Sequence, residues 1–562
     1  MKQIKFLVLT IFLFLSGCNG KISISNSSSS NSITTSSSSE LTSSSSISSS
    51  SSTIDKEELD LFFQNNQFVP FLFENSVTIP NYYKEYKIDW KINFGNIHLL
   101  LSKNVNTSTI KKNNNSLTSG IIEIQAIIRK LSYSYTYYTV VNSSEMCEIP
   151  LINIITDDLS VTPDNLDKEV YTPGYVSIIN YLNGEYVMDL SNQKMGIRMR
   201  GNSTTGALKK AFRIKFDSKQ SVLGKSKAKS WVLLANYFDK SNLRNYLAYT
   251  MAQKMENLEF QPSAIFVEVN FNNTYQGLYL LSEQMETGEG RVDIENQYDI
   301  DGYPGYFFEL DERLDDEGSG AILDYDYFVL NNVESSYGAI YNWCLEYKYP
   351  DPEILTNEIK YRAEYLFNNA NRAIKKLITK SDSLDYEEYI DVDSFIDYYL
   401  VQELFKNVDV ASTSQFYVIK PGGKIQMGPV WDFDIALGVV GSYVYDTYNN
   451  IDLFVRYRDP WYNCLFLSPY FLEKVTNRYS EIKDTIINDV YESIDNLLQK
   501  YEKAFNKNAQ CWPLNYQSYD PPMFIEANYS PYYMALNSFE EHYQYLKDQL
   551  KLRIEILDAN YL

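Results

Sequence analysis

Histidine is nearly absent from this sequence. Its 562 residues include only two, His98 and His542, and these stand far apart. A Ser-His-Asp or Cys-His relay needs an imidazole beside the nucleophile, and a zinc hydrolase site usually needs several, so both kinds of site are disfavoured. Catalysis is left to carboxylates, amides, lysines and arginines, a set of side chains that suits a hard cation such as Mg²⁺.

Positive charge is also in short supply. The chain has 50 Lys and Arg against 72 Asp and Glu, which gives a formal net charge of -22. Because nucleic acids are bound by basic surfaces, the composition predicts no nucleic-acid partner. A smaller anion would have to meet a local basic patch.

The length is too great for one hydrophobic core and predicts a multidomain protein.

Paired cysteines are lacking as well. The five cysteines include no C-x-x-C pair. Cys147, Cys344, Cys464 and Cys511 allow three disulfide connectivities, or none if they are buried thiols, and their spacing does not choose among these arrangements.

Long apolar runs are missing too. The apolar run at residues 6–15 is short for a membrane span, and Lys2 and Lys5 precede it. The sequence L-S-G-C follows it and ends at Cys18, which resembles a bacterial lipobox. We therefore expect residues 1–18 to be a lipoprotein signal peptide, with a lipid on Cys18 that holds the protein on the outer face of the bacterial cell membrane. A plain secretory signal is the alternative.

Two segments of different composition follow the signal peptide. Residues 19–56 are dominated by Ser, Thr and Asn, which predicts a disordered linker. Residues 57–150 contain short β-rich runs separated by Asn-rich and Ser-rich turns, which predicts a small β-sandwich with Trp90 in its core. This segment is similar to bacterial immunoglobulin-like spacer domains.

The basic residues are concentrated in one segment of the remaining chain. Residues 194–229 contain eleven Lys or Arg and one acid, Asp217. The pattern predicts two alternating strands that flank a small-residue loop, and the segment reads KMGIRMR, GNSTTG and then KKAFRIKF after two further residues. Glycine and hydroxyl residues at the loop let backbone N–H groups approach a ligand, so the hairpin suits a polyanion such as a triphosphate. A solvated basic face, or a contact with an acidic polymer or an anionic membrane, is the alternative.

Acidic residues stand on both sides of a second predicted hairpin. The pattern predicts helices over residues 357–378 and 393–405, then Asp409, a strand at 415–419, a Pro-Gly-Gly turn, and Asp432 and Asp434. Because an antiparallel hairpin returns the chain to its start, these carboxylates are expected to lie close together. Phosphoryl transfer needs one carboxylate for the attacking hydroxyl and another for Mg²⁺. Asp409 suits the first role, and Asp432 suits the second with Asp434 as a competitor. Turn capping or a structural Ca²⁺ site is the alternative.

Several separate stretches of the chain together form a recognisable pattern. They are Arg200-Gly201-Asn202-Ser203-Thr204, Lys210-Ala211-Phe212-Arg213-Ile214-Lys215-Phe216, Asp239 with Leu243-Arg244-Asn245, Gly277-Leu278-Tyr279 with Glu283, Glu403 with Asn407 and Asp409, and Trp431-Asp432-Phe433-Asp434. Through these stretches the chain, from about residue 151 to its end, resembles the CotH family, the spore coat protein H-like atypical protein kinases.

The resemblance implies a fold and a set of roles. The fold is an α+β bilobal, atypical-kinase-like domain with an N-lobe at about 151–310 and a helical C-lobe at about 311–562. The implied activity is transfer of phosphate from ATP, with Mg²⁺ or Mn²⁺, to Ser or Thr of a protein substrate. The residues implied for ATP binding are Arg200, Gly201, Asn202, Ser203, Lys210, Lys215 and Glu283. The residues implied for catalysis and for the metal are Asp409, Asp432, Asp434 and Gln415.

Two features leave the activity open. Gln415 stands near the place where the family has an asparagine ligand, which puts metal affinity in question. The expected location outside the membrane, where ATP is scarce, favours one alternative, a surface adhesion module that contacts an acidic ligand, cell wall or polysaccharide. A further alternative is an enzyme that transfers AMP, because this reaction would use the same metal and basic residues. The acidic residues near Asp311 and Glu317 are interpreted as a solvated loop rather than a Ca²⁺ site.

Overall fold

A computed structural model describes residues 56–94, 98–114, 119–312, 326–440, 452–515 and 529–562. Cys18, the signal peptide and almost all of the Ser-rich linker lie outside the described residues, as does most of the acidic segment after Glu312. Lipidation of Cys18 and the location at the outer membrane face therefore stay predictions.

The first part of the described chain is rich in short strands. A four-stranded sheet has the order β1-β9-β8-β5, a three-stranded sheet has the order β2-β7-β6, and β3 pairs with β4. Trp90 is buried as predicted, and its indole N–H donates to the Pro80 carbonyl at 2.7 Å. An immunoglobulin-like architecture stays a prediction. The elements are α1 (Lys56–Asn66), β1 (Leu72–Phe73), β2 (Ser76–Pro80), β3 (Tyr82–Tyr83), β4 (Tyr86–Lys87), β5 (Asp89–Phe94), β6 (Leu99–Lys103), β7 (Thr107–Lys112), β8 (Gly120–Ile128) and β9 (Tyr133–Val141).

A closed seven-stranded barrel follows. Its strand order is β10-β11-β12-β13-β14-β16-β15, and the parallel pairing of β10 with β15 closes it. Alternating apolar residues of β13, such as Phe212 and Ile214, point into the barrel, so Arg213 and Lys215 lie on its outer face. The elements are β10 (Leu151–Thr156), β11 (Thr172–Leu182), β12 (Glu185–Arg200), β13 (Ala211–Gln220), β14 (Ala228–Leu234), α2 (Arg244–Gln253), β15 (Ile265–Phe271) and β16 (Thr274–Glu283).

The C-terminal part combines a sheet of order β18-β19-β17-β20-β21 with helices. The predicted helices at 357–378 and 393–405 are confirmed as α3 and α4, which Thr356 and Asp391 cap at their N-termini. The strands are β17 (Tyr306–Leu310), β18 (Tyr327–Glu334), β19 (Ile340–Tyr349), β20 (Gln415–Ile419) and β21 (Ile425–Met427). The helices are α3 (Asn357–Lys376), α4 (Val392–Phe405), α5 (Val455–Arg458), α6 (Pro460–Leu465), α7 (Pro469–Ile482), α8 (Asn488–Cys511), α9 (Pro531–Met534) and α10 (Phe539–Tyr561), with a π-helical turn at Lys483–Ile487.

Among the described residues, buried hydrophobic clusters fill the barrel and connect it to its neighbours. One buried cluster fills the barrel, and a much larger one joins the outside of the barrel to α2, the C-terminal sheet and the helices. A small third cluster joins β8 and β9 to β10 and β11. The chain is thus β-rich at its N-terminal side and helical at its C-terminal side, as predicted. The domain boundaries and a kinase-like bilobal arrangement stay predictions.

Two further features bear on the predictions from sequence. No disulfide joins Cys147, Cys344, Cys464 or Cys511 within the part of the chain that the structure describes, and the first three are buried. Within the described ranges, no helix combines the length and the apolar character needed to cross a membrane.

Candidate active site

A cavity of about 400 Å³ opens where the end of β12 faces the C-terminal part of the chain. Its wall is mostly polar and comes from segments that are far apart in the sequence. Its polar lining residues are Arg200, Gly201, Asn202, Thr204, Asn236, Asn245, Glu309, Asp409, Thr413, Ser414, Asp432 and Asp434. The predicted convergence of the basic hairpin with both groups of acids is therefore present in the geometry.

Asp409 lies in a tight turn between α4 and β20. The side chain of Asn407 accepts a hydrogen bond from the Asp409 backbone N–H at 3.2 Å. The Asp409 carbonyl accepts bonds from the N–H groups of Ser412 and Thr413, both at 3.0 Å. Ala411 in this turn has a φ of 63°, a conformation that non-glycine residues rarely adopt. The turn thus fixes the backbone of Asp409 at the cavity wall.

Asp432 and Asp434 follow β21 and share the cavity with Asp409. The hairpin of β20 and β21 pairs Tyr417 with Met427, which returns the chain toward Asp409 as predicted. Asp432 is half-buried and has a φ of 63°. A left-handed backbone at a non-glycine residue of a cavity wall marks a position that its surroundings must hold in place.

The Asp434 carboxyl is buried among other acids. Burial raises its pKa well above the ordinary value, and the charges of Asp432, Asp239 and Asp409 raise it further. A hydrogen bond to Asp432 acts in the same direction. Three carboxylates therefore lie close enough to Asp434 to oppose its ionisation, and a bound cation would relieve that repulsion.

Arg200 supplies positive charge to the same cavity. It ends β12, and its guanidinium carbon lies 4.9 Å from the ring centroid of Trp431, within cation–π range. Gly201 follows with a φ of 101° and leads into a 3₁₀ turn at Ser203–Gly206. Among the described residues that line the cavity, Arg200 is the only Lys or Arg.

The two lysines predicted to bind phosphate do not line this cavity. The Lys210 ammonium donates to the carbonyls of Thr205 and Ala207 and lies 3.4 Å from a carboxylate oxygen of Asp164. Lys215 is exposed on the outer face of the barrel, since the apolar residues of β13 take the inner face. Of the three cations predicted to bind ATP, only Arg200 is among the described residues that line the cavity.

Glu283 and Gln415 also lie away from the cavity lining. The Glu283 carboxylate accepts hydrogen bonds from the backbone N–H and hydroxyl of Ser263 and lies 3.6 Å from Lys225. The carbonyl oxygen of Gln415 accepts the Ala411 N–H at 2.9 Å, and its amide donates to Tyr417 at 2.6 Å. Both side chains are engaged in local structure, and neither is placed to reach a ligand in the cavity.

Several residues of the wall had no role in the predictions from sequence. Asn245 was noted only as part of a matching stretch, and Asn236, Glu309 and Thr413 were not singled out. Glu309 lines the cavity from β17. The Lys348 ammonium lies 3.1 Å from its carboxylate and also pairs with Glu346. No local motif marks Asn236, Glu309 or Thr413, because these residues reach the cavity wall only through tertiary packing.

The donor set suits a divalent cation bound with phosphate oxygens. Asp432 and Asp434 are adjacent carboxylates on one wall, and Mg²⁺ is commonly held by one or two carboxylates together with substrate phosphates and water. The described residues contain no group of three or more His, Cys, Asp or Glu side chains arranged to hold a metal by themselves. The fit is thus to a metal–nucleotide complex rather than to a cage made by the protein alone.

A comparison with protein-family models identifies the family of this chain. The model of the family described as CotH kinase protein matches residues 197–557, a span that includes every residue of the cavity wall named above. No curated protein matches the chain. The family match covers more than half of the sequence, which suggests a kinase-like enzyme, and the chain belongs to the CotH kinase protein family.

Proposed function

We propose that the cavity binds ATP with Mg²⁺ or Mn²⁺ and that the protein transfers the γ-phosphate to Ser or Thr hydroxyls of a protein substrate. One observation carries this proposal. An arginine beside a glycine turn lines the same cavity as aspartates from two separate segments. Positive charge, metal ligands and a proton acceptor are the parts that phosphoryl transfer requires.

Binding of the triphosphate is assigned to the end of β12 and the turn after it. The Arg200 guanidinium donates to phosphate oxygens, and its contact with Trp431 keeps it at the wall. Gly201 and Asn202 line the cavity beside it, where the absence of a Cβ at Gly201 lets the backbone approach the ligand closely. Lys210 and Lys215 take no part in this scheme.

Transfer is assigned to Asp409. Its carboxylate accepts the proton of the acceptor hydroxyl while the hydroxyl oxygen forms a bond to the γ-phosphorus. The bond from that phosphorus to the bridging oxygen breaks, and ADP leaves with the electron pair. Asp432 and Asp434 would hold the cation, which supplies charge neutralisation of the triphosphate when bound.

Labelled ATP tests this proposal directly. The purified chain would be incubated with Mg²⁺ or Mn²⁺, casein as the acceptor, and ATP labelled in either the γ- or the α-phosphate. Label from the γ-position in phosphoserine or phosphothreonine is the expected result. Label from the α-position would instead indicate AMP transfer, and no label from either would contradict both transfer reactions.

Asp409→Asn is the matched variant for this test. We expect it to lower the rate of transfer by about 10²–10⁴-fold, the usual contribution of a positioned acid or base, while nucleotide binding is kept. Asp393→Asn is the control, because Asp393 is an exposed residue of α4 that pairs with Lys474. A normal rate in Asp409→Asn would contradict the assigned role.

Nucleotide binding without turnover is a second candidate function. The observation that favours it is the engagement of Gln415 with Ala411 and Tyr417, which leaves this side chain out of the cavity lining. Such a protein would act as a surface binding module, anchored through Cys18 and in contact with cell wall or polysaccharide. Metal-dependent binding of ATP without transfer of either label would support it.

A further inference from the structure

The first two residues of α2 hold the segment that carries the cavity aspartates. The side-chain oxygen of Asn245 accepts the Phe433 N–H at 2.8 Å, and its amide donates to the side chain of Asn236 at 3.0 Å. The Arg244 guanidinium donates to the carbonyls of Ala436 at 2.9 Å and Leu437 at 3.0 Å. The side chains of Arg244 and Asn245 are both buried.

These contacts coincide with two unfavourable backbone conformations. Asp432 has a φ of 63° and Leu437 has a φ of 46°, so two non-glycine residues of one short segment are left-handed. Such conformations persist only when neighbouring structure holds them. The Phe433 N–H belongs to the peptide that follows Asp432, and Leu437 carries one of the carbonyls that Arg244 binds. Each strained residue is thus restrained by one residue of α2.

The arginine is itself fixed on its other side. Asp239 is fully buried, lies 2.6 Å from the Arg244 guanidinium, and accepts the Arg244 backbone N–H at 2.8 Å. The guanidinium therefore spans from a buried carboxylate near the start of α2 to the carbonyls after Asp434. A fork of planar donors can bind both partners at once, which a lysine ammonium does less well.

From these contacts we infer that Asn245 and Arg244 are positioning residues that hold the segment from Asp432 to Leu437 at its two ends, and that Asn245 thereby keeps Asp432 left-handed with its carboxylate aimed into the cavity. The inference rests on the proposed function only in taking Asp432 as a metal ligand. Without the Asn245 bond, the peptide after Asp432 is released, and this residue relaxes toward the ordinary backbone regions. The carboxylate then leaves the cavity wall, and affinity for the metal–nucleotide complex falls.

Amide exchange and Mn²⁺ binding test this inference together. In Asn245→Ala we expect hydrogen–deuterium exchange of the peptide over residues 431–438 to rise about tenfold, as for loss of one buried hydrogen bond. We also expect about tenfold weaker Mn²⁺ binding by calorimetry in the presence of a non-hydrolysable ATP analogue. Saturating Mn²⁺ should restore binding of the analogue, a rescue that general loss of stability would not produce.

Asn371→Ala is the matched control. Asn371 is a buried asparagine of α3 whose side chain accepts the Trp461 indole N–H at 3.1 Å, outside the cavity lining. We expect this variant to be less stable, with exchange over 431–438 and Mn²⁺ affinity unchanged. Equal changes in both variants would overturn the inference, as would unchanged exchange in Asn245→Ala.

The two proposals fail in different ways. If the wild-type chain binds no Mn²⁺ with the analogue, the proposed function is wrong, and the exchange data still decide whether α2 holds the segment. If exchange rises in Asn245→Ala but Mn²⁺ affinity is unchanged, the inferred link to the metal is wrong. Arg244→Lys is the second variant: it keeps the charge opposite Asp239, and we expect it to raise exchange at the Leu437 end of the same peptide.

Discussion

At the scale of single residues, the cavity is a place where acids are held close together at a cost to stability. Asp434 is buried near three other carboxyl groups, and its pKa lies well above the ordinary value of 3.8. In the metal-free protein the folded state therefore keeps a proton that the unfolded chain releases. Stability from this group is greatest below about pH 3.8 and falls as the pH rises toward the folded pKa.

Asp434→Asn should reverse this loss. In the absence of metal at neutral pH we expect it to raise the free energy of unfolding by about 1–3 kcal/mol. The reason is that a neutral amide, unlike the wild-type carboxyl, neither carries a charge nor takes up a proton when it is buried. The gain should disappear as the pH falls to about 3.8 or below, where the wild-type carboxyl becomes protonated in the unfolded chain as well as in the folded one. Urea unfolding between pH 3.5 and pH 8 with a chelator measures it. A gain that is the same at every pH would contradict the argument.

At the scale of elements, the turn from β12 to β13 has one position that only glycine fits. Gly201 has a φ of 101°, and a Cβ at this residue would lie 1.8 Å from the Thr204 hydroxyl oxygen. The same turn carries the Thr204 and Asn202 side chains to the cavity wall. The backbone of the turn and the space for a ligand are therefore set by the same residue.

Gly201→Ala should destabilise the protein by about 1–3 kcal/mol, through a disfavoured φ together with a clash. It should also weaken binding of ADP with Mg²⁺. Gly184→Ala is the matched control, because Gly184 has a φ of 87° with no atom within 4 Å of a Cβ at that position. We expect the control to lose only the stability that the disfavoured φ costs, without a clash, and to bind ADP normally. Equal effects of the two substitutions on both measurements would contradict the assignment.

At the scale of the whole molecule, α8 ties the barrel to the C-terminal helices. Lys507 pairs with the buried Glu268 of β15. The side-chain oxygen of Asn508 accepts the Leu278 N–H at 3.0 Å and the Lys209 ammonium at 3.1 Å. These contacts join residues more than 200 positions apart and fix the outer side of the barrel against the helical part.

Asn508→Ala should destabilise the protein by about 1–3 kcal/mol, because two buried donors lose their shared acceptor. Urea unfolding of the full chain gives the free energy. Asn368→Ala is the control, since Asn368 is exposed and donates to the Glu364 carbonyl of its own helix. We expect the control to stay within about 0.5 kcal/mol of wild type. A similar loss in both variants would contradict a clamp at Asn508.

The limits of prediction are visible at the basic hairpin. Its two strands and small-residue turn were predicted correctly, because alternation and glycine are local signals. Which of its predicted ATP-binding cations line the cavity was not predicted, since Arg200, Lys210 and Lys215 were all expected to contact ATP. Lys210 and Lys215 stand in a matching stretch, but the barrel turns Lys215 outward, and Lys210 caps the carbonyls of its own loop. Arg200 reaches the cavity because β12 ends at the wall.

Composition and local patterns were enough to predict the side chains available for chemistry and the order of the elements. With two histidines and many acids, they limited the site to carboxylates, amides and cations, and the hairpin signals predicted that Asp409 lies near Asp432. The presence of Asn245 and Glu309 at the cavity wall, and the position of Gln415 away from it, depend on the packing of the folded chain. Periodicity fixes which face of a strand or helix a residue occupies, whereas a cavity forms where faces that are distant in the sequence pack together.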